Sequence, residues 1–269
     1  MRTALAVAAI WAIAAVWGLD QAVAAGSESV TFPGAGSSQS VFLSGSLSHP
    51  ATTGRAPAVV LLHGCSGIQQ FERDYGPWLA SQGYAALLVD SLGPRGKHDV
   101  CTGGPPTFHD RALDALGALA YLRTRPDIDP ARIAVLGWSH GGGSAIEANT
   151  KGLAAEAKLP GGGFRAAIGL YAACRELRLK TQGSPLLLLL GGADDWTPAV
   201  NCEELAQQLV TSGYSVTVQK YPGATHAFDN PVSLGRIRVG GKTVTLQYDS
   251  SASTDARQRI LEFLSAQLR

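Results

Sequence analysis

The chain has no cluster of lysine or arginine, and only 16% of its 269 residues are charged, with a net charge of +1. That balance excludes nucleic acid and an anionic membrane surface as main partners, because both are recognised through concentrated positive charge. Small molecules are the expected partners. No His-Glu-x-x-His or comparable ligand spacing occurs among the six histidines and four cysteines, so neither a metal nor another cofactor is expected. There is no internal repeat and no linker, and hydrophobic residues make up 45% of the chain. One large domain with a sizeable core is the reading these absences leave. Nothing in the sequence sets the oligomeric state.

A long hydrophobic run is also missing. Met1-Arg-Thr is followed by an apolar stretch from Ala4 to Trp17, and then by the small residues Ala22-Val-Ala24 and Ala25. One positive residue, an apolar stretch too short for a bilayer and an A-x-A-like site are the three regions of a secretory signal. Residues 1–25 are therefore expected to be removed, leaving a domain of residues 26–269, periplasmic or secreted and without a stable membrane anchor. An uncleaved anchor is the competing reading, since Trp11 and Trp17 lengthen the stretch.

What is present is a regular alternation. Two edge strands are expected between Ser27 and Ser48. Continuous apolar runs at Pro57–His63, Tyr84–Asp90, Arg132–Trp138, Phe164–Tyr171 and Leu186–Leu190 read as strands buried on both faces, and Ser215–Tyr221 as a last strand. Helices are expected over Tyr75–Gln82, Asp110–Arg123, Pro198–Ser212 and Ser253–Leu268, with a small hairpin at Arg236–Tyr248. Strands alternating with helices predict an α/β fold, a mostly parallel, doubly wound sheet with helices on both faces. Such sheets bind ligands at the C-terminal ends of their strands.

The chemistry-bearing residues fall at those ends. Gly137, Ser139 and Gly141 form Gly-x-Ser-x-Gly where a strand meets a helix, a turn that lifts the serine hydroxyl above the sheet. A serine nucleophile needs a base, and the base an acidic partner. His226 follows the last strand and Asp194 the leucine strand, with Asp195 as the rival acid. Oxyanion donors are expected from the backbone N–H of His140 and, in the loop after His63, of Cys65. His63 itself is read as a structural hydrogen-bonding group. Trp138, Trp196 and Phe228 are candidates for the substrate pocket or for packing, and Arg95 for a substrate carboxylate or a surface salt bridge. Four cysteines in an exported chain permit three pairings. The placement of their loops after successive strands predicts Cys65–Cys101 and Cys174–Cys202.

Five stretches in order, His63-Gly-Cys-Ser-Gly67, Asp90-Ser-Leu-Gly-Pro-Arg-Gly96, Gly137-Trp-Ser-His-Gly-Gly142, Gly192-Ala-Asp-Asp-Trp-Thr-Pro198 and Thr225-His-Ala-Phe228, resemble the dienelactone hydrolase family of α/β-hydrolases. The resemblance implies the α/β-hydrolase fold, Ser139 as nucleophile, Asp194 as acid and His226 as base, acting on esters or lactones without a cofactor. Dienelactone hydrolases proper have cysteine as nucleophile, so the resemblance implies the machinery more closely than the substrate. A cutinase-like polyester hydrolase is the alternative among enzymes. A binding protein on a hydrolase scaffold is the alternative outside them.

Overall fold

The computed structural model describes residues 26–36, 41–175, 177 and 183–269. The expected signal segment lies outside the described residues. Eight strands form one sheet: β1 (Gly26–Pro33), β2 (Phe42–His49), β3 (Ala56–Leu62), β4 (Ala85–Asp90), β5 (Ile128–Trp138), β6 (Ala167–Leu170), β7 (Leu186–Gly191) and β8 (Val216–Tyr221). Their order is β1-β2-β4-β3-β5-β6-β7-β8. The β1–β2 and β2–β4 pairs are antiparallel, and every other pair in the sheet is parallel. β9 (Gly235–Val239) and β10 (Lys242–Leu246) make a separate antiparallel hairpin.

The apolar runs split by parity, because successive side chains of a strand point to opposite faces. Val60, Leu62, Leu87 and Val135 join the core that also takes Leu116 and Leu119 of α2 (Phe108–Thr124), Ile146 of α3 (His140–Ala148) and Leu205 of α5 (Ala199–Thr211). Val59, Leu61, Leu88 and Leu136 face the other way, onto Tyr75 and Leu79 of α1 (Gln70–Ser81) and Ile260 and Leu264 of α6 (Ser250–Gln267). Both faces are covered, as the runs require. Between α3 and β6 lies a short helix, α4 (Lys151–Glu156), whose N-cap Thr150 side chain accepts from Leu153 N.

The expected helices keep to within three residues of their limits except α1 at its start, and α2 differs in what it buries. α1 begins at Gln70, five residues before the start read from the sequence. Pro77 imitates a first-turn proline but sits inside the helix, whose real start is fixed by Glu72 accepting from Gln69 N at 2.7 Å. α2 buries Arg111 and Asp114 among its apolar residues, while Leu113 is only partly buried. Among the described residues no helix is long and apolar enough to cross a membrane.

Candidate active site

Ser139 sits between β5 and α3 with φ 52° and ψ −114°, a conformation rare for a side chain with a Cβ. The turn is possible because its flanks are bare. A Cβ on Gly137 would stand 2.1 Å from Gly141 O, and one on Gly141 would stand 2.1 Å from Leu62 O. Tyr171 and Ala227 also have positive φ, 34° and 54°. They end β6 and follow His226, so the strained backbone of this region is gathered at the sheet's C-terminal edge.

His226 and Ser139 are 87 residues apart in sequence, and here His226 Nε2 lies 3.0 Å from Ser139 Oγ. His226 Nδ1 lies 2.8 Å from Asp194 Oδ2. An Nδ1–H donated to the carboxylate leaves the Nε2 lone pair facing the hydroxyl. Asp194 is held in turn, its Oδ1 accepting from Trp196 N at 2.9 Å and Thr197 N at 2.8 Å. All three side chains are buried, Ser139 at 8% exposure. Asp195 points elsewhere, accepting from Thr245 N and Thr245 Oγ1 of β10 at 2.9 and 3.0 Å. The residue considered as the rival acid thus fastens the hairpin.

Ser139 opens into a cleft of about 660 Å³ lined among others by Cys65, Phe108, His140, Trp196, Val200 and Lys242. Its walls come from the loop after β4, the start of α5 and the hairpin tip at Val239 and Gly240. The backbone N–H groups of Cys65 and His140 donate to no protein acceptor among the described residues. Two disulfides border the cleft, Cys65–Cys101 and Cys174–Cys202. No group of three or more His, Cys, Asp or Glu side chains among the described residues is placed to hold a metal ion.

Three of the pocket candidates lie elsewhere. Trp138 is fully buried, because it shares its parity along β5 with Leu136; its indole Nε1 donates to Asp229 Oδ2 at 3.1 Å. Phe228 is fully buried against Tyr171 and Tyr221, with ring centroids at 5.4 and 5.2 Å. Arg95 forms a fork with Asp114, both N–O distances 2.8 Å, and donates to Ser91 O, so it is not offered to a substrate. Its partner Asp114 is only 3% exposed, which makes this a partly buried pair and not a surface one. Trp196 does line the cleft, its ring 4.8 Å from that of His226.

Several polar groups around the site escaped the sequence reading. Thr197 Oγ1 lies 2.9 Å from Tyr171 O and from Asp194 Oδ2, and 3.0 Å from His226 Nδ1. Asp229 is buried and accepts from Tyr75 Oη, Tyr171 Oη and Trp138 Nε1. Burial raises its carboxyl above the usual range, against the pull of those three donors. Beneath the Cys65 loop Glu72 and Arg111, also unforeseen, join His140 and His63, the latter in the structural hydrogen-bonding role expected of it. His63 is fully buried; Ser91 N donates to its Nε2 at 3.3 Å, and its Nδ1–H donates to Gly64 O at 2.7 Å. Burial and the Arg111 charge push His63 well below the ordinary histidine range and His140 down to about 3, so both rings are neutral. A signal for Arg111 was available: it falls four residues before Ala115 on the buried face of α2.

This sheet, with a strained serine above its C-terminal edge and a histidine and carboxylate in line behind it, defines an α/β-hydrolase. Within that class the chain belongs to the dienelactone hydrolase family, whose model matches residues 43–268. A probable 2-oxo-3-(5-oxofuran-2-ylidene)propanoate lactonase from a Bradyrhizobium species is 27% identical over 202 residues, covering 68% of this chain and 77% of that one. A carboxymethylenebutenolidase from Pseudomonas putida is 25% identical over 230 residues, covering 78% and 86%. The solved dienelactone hydrolase from Anabaena variabilis has a TM-score of 0.64 at 23% identity, covering 90% of this chain and 99% of that one. Members of the family act on small-molecule esters and lactones, and this chain is a carboxylic ester hydrolase in that broad sense.

Proposed function

We propose that the chain is an exported serine esterase in which residues 26–269 form a single catalytic domain acting through an acyl-enzyme. The observation that carries the reading is the 3.0 Å approach of His226 Nε2 to Ser139 Oγ, continued by the 2.8 Å bond to Asp194. His226 removes the hydroxyl proton as Ser139 Oγ bonds to the ester carbonyl carbon. The Cys65 and His140 N–H groups receive the negative charge that develops on the carbonyl oxygen. His226 then returns the proton to the departing alcohol oxygen as the carbon–oxygen bond breaks. Water enters, gives its proton to His226, and releases the acid by the same steps in reverse. Export is supported by the signal-like residues 1–25 and by two disulfides, which persist in oxidising compartments.

The test is initial-rate hydrolysis of a p-nitrophenyl ester series from acetate to decanoate, with a five-membered lactone beside it, on the domain and on Ser139→Ala. Turnover is expected to fall by about 10⁴-fold or more in the variant. Activity within a few-fold of the parent would overturn the reading.

A further inference from the structure

Arg111 is a buried charge with no carboxylate against it. Its side chain is fully buried on α2, and no acidic oxygen lies within 4.0 Å of it among the described residues. The two buried carboxylates whose charge acts most on it are spent elsewhere: Asp114 on Arg95, Glu72 on Gly64 N and Gln69 N. Its Nε has no hydrogen-bond partner among the described residues. If α2 needed only packing here, an apolar side chain of similar length would serve the fold better than a guanidinium carried out of water.

What the guanidinium does reach is one of the two peptide units that present the free N–H groups, and the side chain of the residue that presents the other. Nη2 donates to His63 O at 2.5 Å. Nη1 is 3.4 Å from Gly64 O, the carbonyl of the same peptide whose N–H is that of Cys65. That carbonyl also accepts from His63 Nδ1 at 2.7 Å. On the other side Nη1 donates to His140 Nδ1 at 2.9 Å, and the His140 ring lies 4.1 Å from that of Phe108. The His63–Gly64 peptide is held from both ends, its N–H by Glu72 and its C=O by Arg111. A peptide whose carbonyl is hydrogen-bonded to a cation is polarised, and its N–H becomes a stronger donor.

The geometry points to Arg111 as a positioning residue for the reaction, a buried cation that polarises the Cys65 donor peptide through Gly64 O and holds the side chain of His140, the residue that carries the other donor. It touches neither the substrate nor Ser139. Its charge sits beneath the loop where negative charge develops in the transition state, so its effect is on that state and not on ground-state binding. The inference rests on the reading of Ser139 as nucleophile with Cys65 and His140 as donors.

The experiment compares Arg111→Met, Arg111→Lys and Ser139→Ala with the parent. It measures kcat and KM on the best p-nitrophenyl ester, affinity for an alkyl boronic acid that forms a tetrahedral adduct with serine, and the thermal melt. Arg111→Met is expected to lose about 100-fold in kcat, the scale of one oxyanion donor. KM should stay within threefold, boronate affinity should fall with kcat, and Arg111→Lys should regain part of both. A cooperatively folded Arg111→Met with kcat within threefold of the parent overturns the inference. So does a loss confined to KM. Should Arg111→Met fail to fold, Arg111→Lys decides: a drop of tenfold or more in kcat at constant KM supports the role, and an unchanged kcat refutes it. Ser139→Ala separates the two levels. If it is inactive while the folded Arg111 variants keep the parent's kcat within threefold, only the Arg111 role falls; if it is active, the nucleophile reading falls first.

Discussion

Asp194 and Asp195 are neighbours in sequence and do unrelated work in the structure. Asp194 faces His226, and Asp195 reaches across to Thr245 of β10. Replacing each by Asn separates these uses. Asp194→Asn keeps the volume but favours the wrong imidazole tautomer, and kcat should drop by about 10⁴-fold, whereas Asp195→Asn should leave kcat within a few-fold and alter KM through the hairpin. Steady-state kinetics on one ester decides it, and equal losses in the two variants would contradict the assignment. Sequence reasoning weighed both aspartates because both follow the same strand. It favoured Asp194 but could not decide between them, since the distinction depends on a turn in which Asp194 Oδ1 collects two backbone N–H groups. Trp138 is a different case: its parity with Leu136 was already in the sequence and assigns it to the core, a clue that its nearness to Ser139 obscured. The burial of Arg111 was legible from its place on the inner face of α2, but what Arg111 and Asp229 do there was not, because their partners lie 29 or more and 58 or more residues away on other elements.

At the scale of elements, the strands were readable because burial on both faces leaves an unbroken apolar run, and the helices because caps and glycines end them. The role of the β9–β10 hairpin was not readable: its position over the cleft depends on the Asp195–Thr245 bonds and on the bridge between His226 and Leu246. The entry to α1 is a second case. Glu72 ties the first turn of that helix to the Cys65 loop by accepting from Gln69 N and Gly64 N, and it does so from a buried position. Burial raises its carboxyl from 4.5 to about 7, with the two N–H groups and Arg111 pulling the other way. Between those values the folded chain holds a proton that the unfolded chain has released, so the folded state loses stability as pH climbs through that window. Glu72→Gln cannot ionise and should lack this component. Thermal melts of both proteins from pH 4 to 8.5 should therefore show the parent's advantage over the variant, or its smallest deficit, at the acid end, declining until about pH 7. A difference that grows with pH would mean that the carboxylate, and not the acid, is the form the fold favours.

The whole molecule is organised so that one sheet edge collects loops that are far apart in the chain, and loops have little burial of their own to hold them. Two cross-links act at that edge. Cys65–Cys101 joins the loop that presents the Cys65 N–H to the loop after β4, and Cys174–Cys202 joins the segment after β6 to α5, with sequence separations of 36 and 28. Closing loops of that size removes chain entropy from the unfolded state worth about 4 kcal/mol each. The two bonds should differ in what else they control. Val100 N donates to Cys65 O, so the first disulfide and this hydrogen bond both anchor the residue whose N–H is the proposed donor. Urea unfolding of Cys101→Ser and Cys202→Ser should show losses of similar size, on the order of the loop-closure figure. On equal folded material, Cys101→Ser should also lower kcat, while Cys202→Ser should leave it nearer the parent. Equal kcat in both folded variants would mean that the Cys65 loop is held by Arg111, His63 and Glu72 without help from the cross-link. Activity would then survive reduction for as long as the fold does.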